Sequence, residues 1–302
     1  MRIRIAARGS KLSLKQVEMF KEYVMKYLDV SFDLLTVKTS GDKFTLPFEE
    51  LAKKGYVGLF EKEVNKAVLE GRADVAVHSL KDLSTSMHPD LEIVLFLPRD
   101  PPYDVLVSRN GKGLMELEPG SIVGTSSARR KALIMNLRPD LKVKDLRGNV
   151  DTRLRKLREG QYDAIILAEA GLVRLGMQES YERLDWRYFP PSPGQGIVVA
   201  VAKKDTEIAS MLKEISDKNS EIMARAERAV LRAFGGGCHV PLGAISFLRD
   251  GILRIRATTL TLKGEYRVDL EALTEPSDAE KIGYKLGEEL KSAMRSTVGS
   301  EQ

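Results

Sequence analysis

Apolar and polar positions alternate through "RIRIAA" at residues 2–7, the two-residue period of a half-buried strand. The period then changes. "SLKQVEMFKEYVMKYL" (13–28) places Val17, Phe20 and Val24 on one helical face. The same succession of strand and helix follows: strand "FDLLTVKT", a polar loop, helix "LFEKEVNKAVLEG", then strands "ADVAVHS" and "LEIVLFLP". "RDPPYD" (99–104) breaks the pattern and reads as a crossing between domains. A second series runs "SIVGTS", helix "SARRKALIMNL", strand "KVKDL", helix "NVDTRLRKLREG", strand "DAIILA" and helix "EAGLVRLG". "YFPPSPGQG" (188–196) is a Pro/Gly-rich return, and "IVVAVA" is a continuous apolar run of the kind found in buried parallel strands. A helical pair near 205–234, three short strands near 244–249, 252–260 and 264–272, and a helix over 277–295 complete the chain. The pattern predicts two doubly wound α/β domains and a small α+β domain with a three-stranded antiparallel sheet. The boundaries fall at 1–97 with 194–216, at 98–193, and at 217–302.

The 302 residues are ample for several cores, and 43% hydrophobic with 30% charged residues is an ordinary balance for a globular chain. One cysteine excludes an intramolecular disulfide, and three scattered histidines give no metal-ligand spacing. The N-terminus lacks the apolar core of a signal peptide, and no run approaches the roughly 18 apolar residues of a membrane span. A cytoplasmic protein without membrane partners is expected. The net charge of +5 is uneven: residues 121–160 hold eleven Lys/Arg against four acids, a local +7, and the remaining chain is slightly acidic. That segment calls for an anionic partner.

The polar clusters fall where strands hand over to helices: "ARGS" after the first, "HSLKD" after "ADVAV", "GTSSARR" after "SIV", "RGNVDTR" after "KVKDL". In open α/β sheets ligands bind outside the carboxyl ends of strands, so these clusters predict one cleft between the first two domains. In "GTSSARRKAL", Ser126 or Ser127 caps a helix and puts Arg129 and Arg130 in its first turn. The helix dipole disfavours cations there by about 0.3–1 kcal/mol each, so a bound anion is the simplest reason for the pair. Asn149 caps the next helix, with Arg147 before it and Arg153 in its first turns, while Arg155 and Arg158 lie on the solvated face. Arg8 and Ser10 add another anion contact. Guanidinium groups suit bidentate capture of carboxylates, and five of them suit a polycarboxylate. Asp82, next to Lys81, is a carboxylate that can stabilise developing positive charge, although Asp is also a common turn residue.

Cys238 stands in "FGGGCHVPLGA", behind Gly235, Gly236 and Gly237, on a loop whose backbone can approach a ligand closely. By spacing alone a small buried thiol is the commoner outcome. Two other classes compete with an enzyme. A solute receptor of the same architecture would close on carboxylates without chemistry, but would have no use for this cysteine. A nucleic-acid binder would use the +7 segment, which is not interleaved with aromatic residues.

Eight ordered stretches together resemble one family along nearly the whole chain: "RIAARGSKLSLKQ", "GLFEKEV", "ADVAVHSLKDL", "GTSSARR", "LRGNVDTRL", "DAIILAEAGLVRLG", "PSPGQG" and "AERAVLRAFGGGCHVPLGA". The family is porphobilinogen deaminase (hydroxymethylbilane synthase). The resemblance implies two domains similar to periplasmic binding proteins and a third carrying the cysteine. It implies a transferase of tetrapyrrole biosynthesis that condenses four porphobilinogen molecules into hydroxymethylbilane with release of four ammonia. It implies a dipyrromethane cofactor joined by a thioether to Cys238, a catalytic role for Asp82, and cofactor contacts from Arg129, Arg130, Arg147, Lys81, Ser127 and Gly237. Substrate contacts are implied for Arg8, Ser10, Gln16, Arg153, Thr125 and Gln195, with no metal. A monomer that hands its product to uroporphyrinogen-III synthase is the implied setting. Four positions depart from the family pattern: Val57 replaces a lysine, so that either Lys53, Lys54 or Lys62 compensates or the loop handles ligand differently; Ser84 replaces a proline; Ala128 replaces a leucine; Val201 replaces a glutamate.

Overall fold

The alternation at the N-terminus forms strand β1 (Arg2–Arg8), whose Ile3, Ile5 and Ala7 face one core while the flanking arginines stay outside. A computed structural model describes residues 1–38, 61–235 and 240–299. Helix α1 (Lys11–Val24) starts at Ser10, whose extended backbone and Oγ, accepting from the Ser13 N–H, form the N-cap. Then come β2 (Ser31–Val37), α2 (Lys62–Leu69), β3 (Val75–Ser79) and β4 (Leu91–Phe96). The second series is β5 (Asp104–Ser108), β6 (Ile122–Gly124), α3 (Ala128–Leu137), β7 (Lys142–Lys144), α4 (Val150–Arg158), β8 (Ala164–Ala168), α5 (Glu169–Arg174) and β9 (Glu182–Arg183). The chain continues through β10 (Val198–Lys203), α6 (Glu207–Glu214), α7 (Lys218–Phe234), β11 (Leu242–Arg249), β12 (Ile252–Leu260), β13 (Arg267–Thr274) and α8 (Ala279–Gly299).

These elements form two compact units, residues 1–100 with 196–221 and residues 101–195 with 222–302. Two of the three changes of unit fall inside the Pro-rich "RDPPYD" and the Gly-rich "PSPGQG", and the third falls within α7 at 221/222. The first unit holds a five-stranded sheet of order β2-β1-β3-β10-β4, with β1, β2 and β3 parallel and β10 antiparallel to both its neighbours. The second unit repeats that plan as β7-β6-β8-β5-β9, with β6, β7 and β8 parallel and β5 antiparallel to β8 and β9. It also contains the antiparallel sheet β11-β12-β13.

Two features differ from the sequence pattern. The apolar run at 197–202 forms β10 as expected, but antiparallel, because it enters its sheet from the return crossing rather than through a helical crossover. Strand β5 is not apparent from periodicity, since "DVLVS" is a short apolar run without alternation. It occupies the same place in its sheet as β10 does in the other.

Each layer is held by apolar burial. Ile5, Phe20, Val75, Leu95 and Leu212 join one cluster in the first unit. In the second, Leu133, Ile134, Ile166 and Phe189 form one cluster, while Val105, Leu146, Leu154 and Ile165 form another. Burying each such side chain contributes about 1.5–3 kcal/mol. Helices α7 and α8 cover the antiparallel sheet through Val230, Ala244, Ile255, Leu286 and Leu290. Among the described residues no helix is long and apolar enough to cross a membrane.

The approach of α8 to α7 depends on two glycines one turn apart. A Cβ on Gly283 would lie 2.4 Å from the Ala226 carbonyl oxygen, and one on Gly287 would lie 2.5 Å from that of Val230. Alanine is the better helix former by about 1 kcal/mol, but overpacking against backbone costs about 1–3 kcal/mol. Gly287→Ala should therefore lower the denaturation midpoint, whereas Gly299→Ala, with open space around its position, should leave it unchanged or raise it. Equal midpoints for the two variants would show that the helices can separate at no cost.

Candidate active site

In the first unit the polar cluster grows from the ends of β1 and β3, which pair in parallel register. Arg8 and Ser10 are half-buried beyond β1. Gln16 on α1 is 4% exposed and donates its side-chain N–H to Ser79 Oγ at 2.6 Å, so it braces the end of β3 from one face. His78 braces it from the other: its Nε2 lies 2.8 Å from Asn65 Oδ1 on α2. An amide oxygen only accepts, so Nε2 carries the proton. Burial, and then the charge of Arg8, pulls the His78 pKa down to about 4, and the ring is neutral at pH 7. After Ser79 the backbone makes a 3-10 turn over Leu80–Asp82. Leu80 and Leu83 are buried, Lys81 is half-buried and Asp82 is exposed. The Leu80 N–H donates to the Ile197 carbonyl and the Leu83 N–H to that of Leu80. Ser84 donates its backbone N–H to the buried Glu61 carboxylate at 2.6 Å, a bond that proline could not make.

In the second unit Ser127 is the N-cap of α3, and its Oγ accepts from the Arg130 N–H. Thr125, 1% exposed, accepts from the Ser127 N–H through its Oγ1. Arg129 and Arg130 do occupy the first turn of α3, and the first anion they meet is internal. Asp104, at the start of β5 and fully buried, accepts from Arg129 Nη1 at 2.8 Å and from Arg130 Nη2 at 2.7 Å. Gln195 Nε2 donates to the same carboxylate at 2.9 Å and to the Pro102 carbonyl. Arg129 also donates to the Pro190 carbonyl, and Arg130 to that of Ile166. Burial alone would raise the Asp104 pKa, but the two guanidinium charges outweigh it and hold the carboxyl far below the usual carboxylate range.

The "RGNVDTR" loop is tied to this cluster. Ser126 Oγ donates to the Leu146 carbonyl and accepts from the Leu146 N–H, and Thr125 N–H donates to the Lys144 carbonyl. Asn149 takes the N-cap position of α4 without a side-chain capping bond. Arg153 Nε donates to the Gly148 carbonyl. Arg130 Nε and Arg147 Nη2 are buried and meet no acceptor among the described residues. Two buried guanidinium donors left over after an internal carboxylate has been served fit a further anionic group. By contrast Arg155 and Arg158 project outward to Glu159 and Glu179.

Arg8, Ser10, Gln16, Lys81 and Asp82 thus belong to the first unit, and Thr125, Ser127, Arg129, Arg130, Arg147, Arg153 and Gln195 to the second. Gly237 and Cys238 lie outside the described residues, as do Val57, Lys53 and Lys54. Lys62 opens α2. Ala128 and Val201 are buried, Val201 between β3 and β4, where an apolar side chain suits the site. Sequence reasoning missed Asp104, Glu61 and the Asn65–His78 pair. Each is a polar residue beside an apolar run, and only its distant partner reveals its function.

Removing Arg129 would leave Asp104 with one guanidinium and the Pro190 carbonyl without this donor. Breaking a buried ion pair costs about 3–5 kcal/mol, so Arg129→Leu should lower the unfolding free energy by that order, and Arg155→Leu, an exposed pair, by less than about 1 kcal/mol. Equal stability of the two variants would show that the buried triad contributes nothing. His78 makes stability depend on pH. The unfolded ring titrates near 6.5 and the folded one near 4, so the unfolded chain binds more protons between those values. The contribution is complete above pH 6.5 and lost as pH falls towards 4, up to about 3 kcal/mol. Unfolding free energies at pH 7 and pH 4.5 should differ less in His78→Gln than in the parent, and an unchanged difference would remove His78 as the cause.

With this geometry in place, comparison with known proteins is specific. Residues 3–210 match the family model described as porphobilinogen deaminase, dipyromethane cofactor binding domain, and residues 221–292 match the porphobilinogen deaminase C-terminal domain. A protein of Ignicoccus hospitalis named "Probable porphobilinogen deaminase" is 63% identical, with all of both chains covered. One of the same name from Hyperthermus butylicus is 48% identical over 96% of this chain and 97% of that one. Among solved structures, the Lactococcus lactis GlnP substrate binding domain 2 in its open conformation is 15% identical, with a TM-score of 0.41 over 78% of this chain and 90% of that one. The chain belongs to the porphobilinogen deaminase family.

Proposed function

We propose that this chain joins four porphobilinogen molecules head to tail into hydroxymethylbilane, releasing four ammonia, on a dipyrromethane bound through a thioether to Cys238. The family assignment carries the reaction. The observation that supports the residue roles is the pair of buried, unmatched donors, Arg130 Nε and Arg147 Nη2, at the edge built by β6 and β7. The dipyrromethane, when bound, supplies the pyrrole carbon to which the first substrate is joined. Arg129, Arg130, Arg147, Lys81 and Ser127 hold its acidic side chains, and Gly237 lets it pass close to the backbone. Arg8, Ser10, Arg153 and Thr125 hold the carboxylates of porphobilinogen. Gln16 and Gln195 support these groups from behind, through Ser79 and Asp104.

Asp82 has the electrostatic role. As ammonia leaves the substrate aminomethyl group, positive charge spreads to the pyrrole N–H, and a fixed carboxylate there favours the charged state over the neutral ground state. Its turn is pinned at Leu80 and Ser84, so the carboxylate is set before substrate arrives. In function we assign anion binding to 98–193 and the cofactor loop to 217–302, while 1–97 and 194–216 present Asp82. We place the enzyme in the cytoplasm, as a monomer that passes its product to uroporphyrinogen-III synthase.

Intact-protein mass and ammonia release test this reading together. The parent should carry the adduct mass, and Cys238→Ala should be folded, lack the adduct and be inactive. Asp82→Asn should keep the adduct and release ammonia about 10²–10³-fold more slowly. An adduct on the alanine variant moves the attachment elsewhere; parental ammonia release by Asp82→Asn removes the aspartate from the chemistry.

A further inference from the structure

We infer that Glu61 is a positioning residue for Asp82, acting through the backbone N–H of Ser84; this rests on the reading of Asp82 given above. Glu61 directly precedes α2 and is 6% exposed, yet its side chain makes no capping bond to its own helix. Its Oε2 instead accepts from the Ser84 N–H at 2.6 Å, across 23 positions of sequence. A buried carboxylate aimed at one main-chain N–H is a short, charge-assisted tie. Asn65 lies one turn further along the same helix, its N–H bonded to the Glu61 carbonyl, and contacts His78 at 2.8 Å. The start of α2 and the residue before it therefore grip the chain at two points, four residues before Asp82 and two residues after it.

The residues between those points explain why the second grip matters. Leu80 and Leu83 are buried and fix the inner side of the turn, whereas Asp82 is exposed and has no packing of its own to aim it. The upstream arm is held by the β3 ladder and by the Leu80 N–H on the Ile197 carbonyl. The downstream arm leaves the sheet, and Ser84, the residue directly after Leu83, is tied across the fold to Glu61. Loss of that tie lets the Asp82 carboxylate wander by fractions of an ångström. A displacement of that size slows an oriented reaction more than it weakens binding.

The backbone offers a clean way to delete the bond. Leu83 sits at φ −89°, ψ 127°, the extended conformation that a residue before proline requires. Ser84→Pro therefore removes the donor without forcing its neighbour to move. In the holoenzyme, Ser84→Pro and Glu61→Leu should each lower kcat for porphobilinogen about tenfold with KM changed less than about twofold. Ser84→Ala, which keeps the N–H, should match the parent, and Glu61→Gln, which keeps an acceptor oxygen, should restore most of the rate lost in Glu61→Leu. The double variant Glu61→Leu/Ser84→Pro should be no slower than the slower single one, since both remove the same bond. Parental kcat in Ser84→Pro, or losses that multiply in the double variant, would overturn the inference. If Glu61→Leu does not fold, Ser84→Pro against Ser84→Ala decides alone. Asp82→Asn measured alongside separates the two claims: a slow Asp82→Asn with a fast Ser84→Pro sinks only the positioning role, and a fast Asp82→Asn sinks both.

Discussion

The second unit is organised around a carboxylate that cannot be seen from outside. Asp104 has no exposed surface and holds Arg129, Arg130 and Gln195 at once. Two cations in the first turn of a helix oppose its dipole, and each would be costly to bury alone. Asp104 offsets both costs and leaves one positive charge in excess, with Arg130 Nε still unmatched. The same contact fixes the chain beside two of its three changes of unit. Asp104 stands four residues after Asp100, and Gln195 is the last residue before the return. Gln195 also bonds the Pro102 carbonyl, while Asp100 N–H donates to the Gly196 carbonyl within the first unit. The carboxylate that holds the two arginines therefore also clamps the crossing segments on their second-unit side.

The two five-stranded sheets use one plan, and their corresponding loops use one device. A parallel strand ends, a serine caps the next helix, and arginines stand beside that cap: Arg8 with Ser10 after β1, and Arg129 and Arg130 with Ser127 after β6. The central strands β3 and β8 then diverge. After β3 the chain forms the short turn bearing Asp82, whereas after β8 it enters α5 directly, with the buried Glu169 paired to Arg183. One edge presents an exposed carboxylate and the other satisfies its carboxylate internally. That difference follows from local sequence: "HSLKD" has no helix-forming continuation, and "AEAGLVRLG" has one.

Most of the succession of strands and helices and the serine cap before Arg129 were legible because each depends on residues within one turn of one another; β5 and the Ser10 cap were not. Ser127 has its capping bond where the spacing placed it, and Arg155 and Arg158 are outside as their helical phase requires. What sequence could not supply depends on distant partners. Strand direction is one case: "IVVAVA" reads the same whether its neighbours run with it or against it, and only the return at 188–196 decides. Asp104 is another. An aspartate opening a short apolar strand signals nothing until residues 25, 26 and 91 positions away converge on it. Glu61 and Ser84 are a third, 23 positions apart with a backbone donor on one side. The sequence pattern predicts a bound anion between Arg129 and Arg130, and the first anion the fold places there is its own Asp104 carboxylate.

That outcome changes the meaning of the basic segment. A local excess of +7 over residues 121–160 could describe a broad electropositive surface, but the charges are dispersed by partner. Arg138 is neutralised by Asp140, Arg155 by Glu159 and Arg158 by Glu179. Arg129 and Arg130 are buried on Asp104 and contribute little to the outer field. Arg147 is half-buried with one buried donor unmatched, and Arg153 is held to the Gly148 carbonyl beside it. A polyanion such as nucleic acid binds through many exposed, interchangeable cations. Lys131, Lys142 and Lys144 remain exposed, whereas the buried unmatched donors of the segment, Arg130 Nε and Arg147 Nη2, are few and fixed in place. Such donors are suited to individual carboxylates whose positions matter, as they do for a substrate that must be joined in one orientation.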